Sequence, residues 1–268
     1  MKAIINIDDE TYRLWNINVA YDRFISIPGS YVEPYADPLS ASIYLALRSL
    51  EGFGGEIMTT PELLAKRIGI KASNRRAVLK IINFLNMLID KEVLLNCHVE
   101  KITARGLITG TLVSSSKAIE IINNSVKFDY VKLYGHDLLG YRRILKKYPK
   151  LKFYQYVNQL LTIKRTLYAS KYCRDKREFS YSVASEKTME NRTIVSSHDI
   201  KAWLKMFSEA KVLAWATFNR TTTKGTVTSK NIAVINYCEG KNMLRLDRAI
   251  RLSNPRSYHK TYVTKYYF

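Results

Sequence analysis

The stretch Thr60-Pro61-Glu62-Leu63-Leu64-Ala65-Lys66-Arg67-Ile68-Gly69-Ile70 carries the strongest local structure signals in the 268-residue chain. Threonine caps a helix with its side-chain oxygen, and proline is tolerated at the first helical position because the nitrogen there needs no intrahelical partner. Glycine readily adopts the backbone conformation that ends a helix. We therefore predict a short helix that starts after Thr60 and ends at Gly69.

A longer amphipathic helix, residues 73–89, is predicted immediately after the short one, with Ser73 as its cap. Apolar residues recur in it at helical spacing. They are Val78, Ile81, Ile82, Leu85, Leu88 and Ile89. The opposite face carries polar residues, namely Asn74, Arg75, Arg76, Lys80 and Asn83. The pattern indicates a helix that buries one face and exposes a basic one.

The flanking segments complete a familiar order of elements. A first helix is predicted to begin at Asp37-Pro38-Leu39-Ser40 and to end before the glycine-rich segment 52–55. Two β-prone runs, 93–99 and 107–113, follow the third helix and are separated by Thr103-Ala104-Arg105-Gly106, whose glycine suits a turn. Three helices followed by a hairpin form the order of a winged helix-turn-helix unit.

Two basic helices are predicted after residue 128, at 130–148 and 151–171, with Pro149 between them. Between residues 141 and 177 there are twelve basic residues and one acidic residue, Asp175. Stable helical faces usually mix charges of both signs. This almost exclusively basic segment is therefore predicted to contact phosphate groups. The predicted contacts in it are Arg142, Arg143, Lys146, Lys147, Lys164 and Arg165.

The order of a winged unit is then predicted a second time. Residues 181–190 read as a short helix, and Ser196 and Asp199 have the spacing of a capping box at the start of a helix over 196–210. A strand, a hairpin tip at 219–225 and a return strand follow. The fold class predicted from the whole chain is α+β, mostly helical, with tandem winged helix-turn-helix units.

Three domains or segments are expected from these patterns. They are an N-terminal winged-helix domain at 1–117, a basic helical segment with a second winged-helix domain at 118–240, and a basic aromatic C-terminal helix and tail at 241–268. The aromatic rings of the tail are expected to pack on the body of the protein. Stacking of these rings on unpaired bases is the alternative.

Among the features of the composition, the net charge says most about which class of molecule the protein binds. The chain has 43 Lys and Arg against 23 Asp and Glu, which leaves a net charge of +20 and a pI near 9.8. Such an excess attracts polyanions and makes their binding sensitive to salt. Ribosomal and membrane-surface proteins can be equally basic, but the concentration of charge in the second half, interleaved with tyrosines, favours nucleic acid.

Helix-turn-helix geometry predicts which residues of the first unit would contact DNA. The second helix braces the third, whose amino end enters the major groove while the wing touches the backbone. Arginine can pair with guanine through two hydrogen bonds and asparagine can do so with adenine. The predicted contacts are Asn74, Arg75, Arg76, Lys80 and, on the wing, Arg105. An ordinary solvated helix face is the alternative.

The equivalent positions of the second unit supply hydroxyls, a histidine and further cations. Hydroxyls and a histidine can contact phosphates or bases. The predicted contacts are Arg192, Ser196, Ser197, His198, Lys201 and Lys205, with Arg220 and Lys224 on the second wing. His198 could equally be an ordinary surface histidine at a helix start.

Motifs for catalysis and cofactor binding are absent from the sequence. It has no GxxxxGK[ST], GxGxxG, HExxH or GxSxG motif, and its three cysteines have neither CxxC nor Cys/His spacing. We therefore expect no metal, no cofactor and no enzymatic activity. The early acidic residues and the lack of a long apolar run predict a protein without signal peptide or membrane span, located in the cytoplasm.

Three stretches resemble the winged-helix replication initiators of Gram-positive plasmids and phages. They are Phe24-Ile25-Ser26-Ile27-Pro28, Pro38-Leu39-Ser40-Ala41-Ser42-Ile43-Tyr44-Leu45-Ala46-Leu47 and the Thr60 to Ile70 stretch quoted above. In place of the usual Gly-Leu-Ile after the third helix stands Lys91-Glu92-Val93-Leu94. The resemblance implies binding to an origin or operator. We therefore expect sequence-specific binding of double-stranded DNA in plasmid or phage replication initiation, in a bacterium or a phage-infected host, with replication proteins as further partners. Two units in one chain could read two adjacent half-sites, so either a monomer or a homodimer is compatible with the sequence.

Three other functions remain open at this point. A transcriptional regulator would use the same surfaces, since it also needs only a site on DNA. A DNA strand-transfer or nicking enzyme could use one of the nineteen tyrosines. An RNA-binding or ribosome-associated protein would share the basic charge, although the deep and narrow major groove of A-form RNA does not admit a recognition helix.

Overall fold

The computed structural model describes residues 24–33, 35–97, 101–124, 129–169, 180–222, 227–253 and 259–268. The chain divides into two units, residues 1–161 and residues 162–268. Both units combine α-helices with antiparallel sheets, and helical residues outnumber strand residues in the described segments. The predicted α+β class with a predominance of helix is therefore confirmed.

The described residues of unit 1 form two separate sheets. Its elements are β1 (Phe24–Pro28), α1 (Ser40–Leu50), β2 (Glu56–Thr59), α2 (Pro61–Arg67), α3 (Arg75–Asp90), β3 (Leu94–Leu95), β4 (Ile108–Leu112), α4 (Ser115–Asn123), β5 (Tyr130–Tyr134), α5 (Gly135–Leu145) and the greater part of α6 (Phe153–Arg165). The strands β2, β4 and β3 form one antiparallel sheet in that order, and β1 pairs with β5 in the other.

The helix signals around Thr60 are confirmed at the level of single hydrogen bonds. The Thr60 hydroxyl accepts a hydrogen bond from the Leu63 N–H at 3.1 Å, Pro61 is the first helical residue, and Gly69 has a positive φ of 77°. The predicted cap of α3 is wrong by one residue. Asn74, and not Ser73, caps this helix, and its side-chain oxygen accepts from the Ala77 N–H at 3.2 Å.

Buried aliphatic residues and two buried arginines hold unit 1 together around α1. Helix α1 is buried along almost its whole length. Arg48 donates to the Tyr44 hydroxyl, to Glu51 and to the Val113 carbonyl, and Arg67 donates to the Ser49 hydroxyl at 3.0 Å. Burial lowers the pKa of the Arg67 guanidinium. These bonds attach α1 to the segment after β4 and to α2.

The prediction of one continuous helix over 130–148 is wrong in its first part. Residues Tyr130–Tyr134 form β5, with Val131 opposite Ile27 and Leu133 opposite Ile25. Val131 and Leu133 are buried. Apolar residues at every second position are compatible with a strand when a partner strand is available to pair with it. The local sequence pattern could not show that β1, about 100 residues earlier in the chain, is that partner.

In unit 2 the residues that the structure describes form a five-stranded sheet. Its elements after the end of α6 are β6 (Tyr168–Ala169), β7 (Ser180–Ser185), α7 (Glu186–Thr193), α8 (Ser197–Glu209), β8 (Leu213–Thr222), β9 (Val227–Asn236), α9 (Asn242–Ser253) and β10 (His259–Tyr267). The strand order is β10-β8-β9-β7-β6, and all of the pairings are antiparallel. Helix α9 packs on this sheet through Leu246, Ala249 and Ile250.

Two helix predictions in this half need correction. The helix predicted over 181–190 is a strand up to Ser185, because β7 pairs with β9 and places Tyr181 opposite Ile235. The helix predicted over 151–171 ends at Arg165, and a short strand, Tyr168–Ala169, pairs with β7. In both places pairing with another strand overrode the local helical pattern.

Ser196 caps its helix as predicted, and two rings of the tail, those of Tyr266 and Tyr267, pack on the body of the protein as predicted. The Ser196 hydroxyl accepts from the Asp199 N–H at 3.1 Å, and α8 starts at the next residue, Ser197. Tyr267 in β10 stacks on Trp215 with ring centroids 3.9 Å apart. The Tyr266 hydroxyl donates to Asp247, and burial, followed by this bond, raises the pKa of Tyr266 to about 12. Strand β10 (His259–Tyr267) is thus an edge strand of the sheet.

One arrangement of elements occurs in both units. In unit 1 it is β2-α2-α3-β3-β4, with the first strand paired to the last and the last to the middle one. In unit 2 it is β7-α7-α8-β8-β9, with the same two pairings. The opening strands β2 and β7 were not predicted. Along the chain, α2 and α3 thus lie between two strands of one sheet, and α7 and α8 lie between two strands of another.

Candidate nucleic-acid interface

The amino end of α3 presents polar and basic side chains to solvent. Asn74, Arg75 and Arg76 are exposed, whereas Ala77 and Val78 in the next turn are buried. The first turn of α3 contains no acidic residue. The aligned backbone N–H groups give a helix amino end a partial positive charge, which these cations reinforce. This end of α3 is therefore suited to anionic or hydrogen-bond-accepting ligands.

A cleft of about 600 Å³ lies beside this end of α3 within unit 1. It is bordered by the segment before α1, the α2–α3 connection, α3 and the start of α6. Its polar and aromatic lining includes Asp37, Lys71, Arg76, Lys80, Lys152 and Tyr154. Among the described residues that line it, Asp37 alone is acidic. The sequence prediction missed Lys71, Lys152 and Tyr154 at this site because their proximity to α3 is a tertiary contact.

The predicted contact residues on α3 are not equivalent. Lys80 forms an ion pair with Asp37, with 2.6 Å between its Nζ and Oδ2 of the aspartate. Asn74 uses its side-chain oxygen to cap the helix, so that only its amide N–H groups can serve a ligand. Arg75 and Arg76 therefore carry most of the charge that this helix end can offer to a ligand.

Arg105 lies in the turn before β4 and is held against α2. Its Nε donates to Oε1 of Glu62 at 3.1 Å, and the Glu62 N–H donates to the Ala104 carbonyl at 3.1 Å. The Arg105 side chain is 87% exposed. The turn is tight, since a Cβ added at Gly106 would lie 2.7 Å from the Thr103 hydroxyl oxygen. The ion pair therefore places an exposed guanidinium beside the amino end of α2.

The basic segment after β5 forms an exposed strip. Helix α5 buries Tyr141 and Ile144 on one side. The exposed basic residues of α5 and of the connection to α6, which we call the basic strip, are Arg142, Arg143, Lys146, Lys147, Lys150 and Lys152. No acidic residue occurs between residues 142 and 152. Positions three and four apart share a helix face, so the two arginines of α5 lie close to the two lysines that follow its last turn.

The remaining predicted cations of this segment lie elsewhere. Lys164 is only 6% exposed and Arg165 is partly buried. Both lie in the last turn of α6, where Lys164 faces the protein interior and has little surface to offer a nucleic acid. The other basic residues of the cluster, Lys171, Arg174, Lys176 and Arg177, lie outside the described residues.

The amino end of α8 in unit 2 differs from that of α3 because carboxylates occupy it. The Ser197 N–H donates to Oε1 of Glu190 at 2.6 Å, and the Ser196 hydroxyl donates to Oδ2 of Asp199 at 2.8 Å. His198 is exposed, with 93% of its side chain accessible. The partial positive charge of this helix end is thus already matched by two carboxylates within the protein.

The other predicted residues of unit 2 have mixed environments. Arg192 and Lys205 are exposed, whereas Lys201 pairs with Glu186 at 2.7 Å. Arg220 donates through Nη2 to the carbonyl and the hydroxyl of Ser253, and burial lowers the pKa of its guanidinium. Arg220 thereby attaches β8 to the end of α9. Lys224 lies outside the described residues.

Metal-binding and membrane-spanning features are lacking in the described segments. There, no three His, Cys, Asp or Glu side chains are grouped so that they could hold a metal ion. None of the helices in the described part of the chain has the length and apolar character needed to cross a membrane. Comparison of the chain with protein-family models, with curated proteins and with solved structures gives no match.

Proposed function

We propose that this chain is a sequence-specific double-stranded DNA-binding protein with two tandem winged-helix units. The repeated strand-helix-helix-strand-strand arrangement supports this proposal. In a winged helix the second of the two helices lies in the major groove and the last two strands form the wing. By this correspondence α3 and α8 are the recognition helices, and the β3–β4 and β8–β9 connections are the wings.

The observation that carries the proposal is the exposed, basic amino end of α3. Arg75 and Arg76 extend from a turn without acidic residues, and the cleft beside them brings Lys71 and Lys152 to the same helix end. Arginines can read guanine through two hydrogen bonds, and lysines can hold the adjacent phosphates. Packing of α2 against α3 gives the recognition helix a fixed position.

The two units are proposed to contribute differently to binding. The amino end of α3 meets DNA with cations, whereas that of α8 carries Glu190 and Asp199. Carboxylates near a recognition helix can accept a hydrogen bond from cytosine but repel phosphate. Unit 1 therefore supplies most of the affinity for DNA, and unit 2 adds selectivity through Ser197, His198 and Lys205.

Selection of duplexes from a random pool tests this function directly. We expect wild-type protein to enrich a defined sequence, and its affinity for that duplex to exceed its affinity for unselected duplex by at least about 1,000-fold. Binding of both should weaken steeply as salt is raised. Enrichment of no sequence, with equal affinity for all duplexes, would refute sequence-specific recognition.

The basic strip is predicted to contact phosphates without reading sequence. Lys146→Ala/Lys150→Ala should weaken binding to selected and unselected duplex by the same factor. It should also reduce the slope of log affinity against log salt by about 2, since each phosphate contact contributes roughly 0.9. The measurement is a salt titration of duplex affinity for the variant and the wild type.

A matched variant removes two exposed lysines elsewhere in unit 1. Lys91→Ala/Lys117→Ala has the same change in net charge, and these side chains lie at the end of α3 and in α4. We expect its salt slope to equal that of the wild type. Equal slopes for all three proteins would show that the basic strip makes no phosphate contact.

The biological role that we propose is replication initiation of a plasmid or phage. It is supported by the resemblance of residues 24–28, 38–47 and 60–70 to winged-helix initiators. A replicon that carries the selected sequence should replicate only in cells that produce the protein, and the Arg75→Ala/Arg76→Ala variant should fail to support its replication. A replicon that persists without the protein, while transcription from a promoter next to the site changes, would instead identify a transcriptional regulator.

A further inference from the structure

The two-stranded sheet of unit 1 has one buried face and one aromatic face. In the register of β1 and β5, Phe24 lies opposite Tyr134, Ser26 opposite Lys132 and Pro28 opposite Tyr130. Successive side chains of a strand point to opposite faces, so these six residues share one face. The other face consists of Ile25, Ile27, Val131 and Leu133, of which the last three are buried. The sheet is therefore anchored by its apolar side.

The rings on the aromatic face form a connected series with a lysine among them. Phe24 and Tyr134 have centroids 5.6 Å apart, and Tyr134 stacks on His136 at 5.4 Å. Lys132 Nζ lies 4.2 Å from the centroid of Phe24 and 6.0 Å from that of Tyr130. Phe24 is 44% and Tyr130 37% exposed. We call Phe24, Tyr130, Lys132 and Tyr134 the aromatic ribbon.

We propose that the aromatic ribbon binds unpaired bases of single-stranded nucleic acid. Aromatic side chains on a sheet are platforms on which bases stack, because every base has a π face. The Lys132 ammonium provides a phosphate contact between the rings. When a phosphate draws this ammonium away from Phe24, that ring becomes available to a base.

The charge of this face favours a polyanion, rather than an apolar protein segment, as its ligand. Neither strand contains an acidic residue. Lys132 lies at the middle position of β5, where an apolar partner would have to desolvate it. Nucleic acid satisfies both groups at once, since its phosphates pair with the cation and its bases cover the rings. The ribbon is therefore complementary to a strand whose bases are unpaired.

The basic strip continues from the ribbon along the chain. Helix α5 begins at Gly135, directly after β5, and Arg142 is about 10 Å of helical rise from that residue. A strand stacked on the ribbon would need only a few nucleotides to reach the cations of α5. This site is separate from the duplex-reading residues of α3, so it does not rest on the proposed function.

The test compares two single strands of equal length and charge, an oligothymidine and its abasic counterpart, with the full-length protein. We expect wild type to bind the oligothymidine about tenfold or more tightly than the abasic strand, because only bases can stack. Phe24→Leu/Tyr130→Leu keeps apolar side chains but removes two of the three rings of the ribbon, and should lose most of the preference for the oligothymidine. An oligouridine strand in parallel distinguishes RNA from DNA.

Two controls separate this result from loss of folding and from loss of charge. Tyr35→Leu removes a ring that is 90% exposed outside the ribbon and should retain the preference for bases. The ribbon variant should bind the selected duplex like wild type, whereas Arg75→Ala/Arg76→Ala should retain the preference for bases in single strands. Equal wild-type affinity for the two strands, or an unchanged preference in the ribbon variant, would overturn the proposal.

Discussion

Arg75→Ala/Arg76→Ala should lower the affinity for the selected duplex by about 30-fold or more. Each bidentate contact between arginine and guanine contributes about 1–3 kcal/mol of discrimination, and both arginines extend from the exposed amino end of α3. Asn74 retains its capping bond to the Ala77 N–H in this variant, so the helix start is preserved. The measurement is an equilibrium titration of selected and unselected duplex at one fixed salt concentration.

The matched control for this prediction is again Lys91→Ala/Lys117→Ala. The control should keep the wild-type affinity for unselected duplex, because its two lysines are not expected to contact phosphates, whereas the arginine variant loses two cations at the amino end of α3. The ratio of selected to unselected affinity should fall only in the arginine variant, since only this variant loses base contacts. A similar ratio of selected to unselected affinity in the wild type and both variants would contradict the assignment of α3 as the reader of sequence.

Leu85→Ala should lower the free energy of unfolding of unit 1 by about 2–5 kcal/mol. Leu85 is fully buried on the face of α3 that packs into the unit, and truncation of a buried leucine leaves a cavity there. Leu79→Ala on the opposite face, where the residue is 57% exposed, should change stability by no more than about 0.5 kcal/mol. Denaturant titration followed by far-ultraviolet circular dichroism measures both.

A conservative substitution keeps this prediction testable if Leu85→Ala does not fold. Ile81→Val removes a single methylene from another fully buried residue of α3 and should cost about 0.5–1.5 kcal/mol. Equal effects of Leu79→Ala and Leu85→Ala would contradict the observed orientation of α3.

Caps and charge could be predicted because they are local properties of the chain. A threonine followed by proline, a glycine eight residues after that proline, and the Ser196–Asp199 spacing are sufficient to define three helix ends. The amphipathic pattern similarly predicted that Arg75 and Arg76 would be exposed while Leu85 would be buried. These features depend on hydrogen bonds and packing within a few turns of one helix.

Strand partners and side-chain environments required the tertiary structure. The segments at 130–134 and 180–185 became strands because β1 and β9, distant in sequence, provide their hydrogen bonds. The same long-range packing buries Lys164 and joins Arg220 to Ser253, although the sequence shows each only as one more cation. A single sequence specifies charge and helical period directly, whereas the neighbours that pair a strand or bury a cation are set by contacts between distant segments.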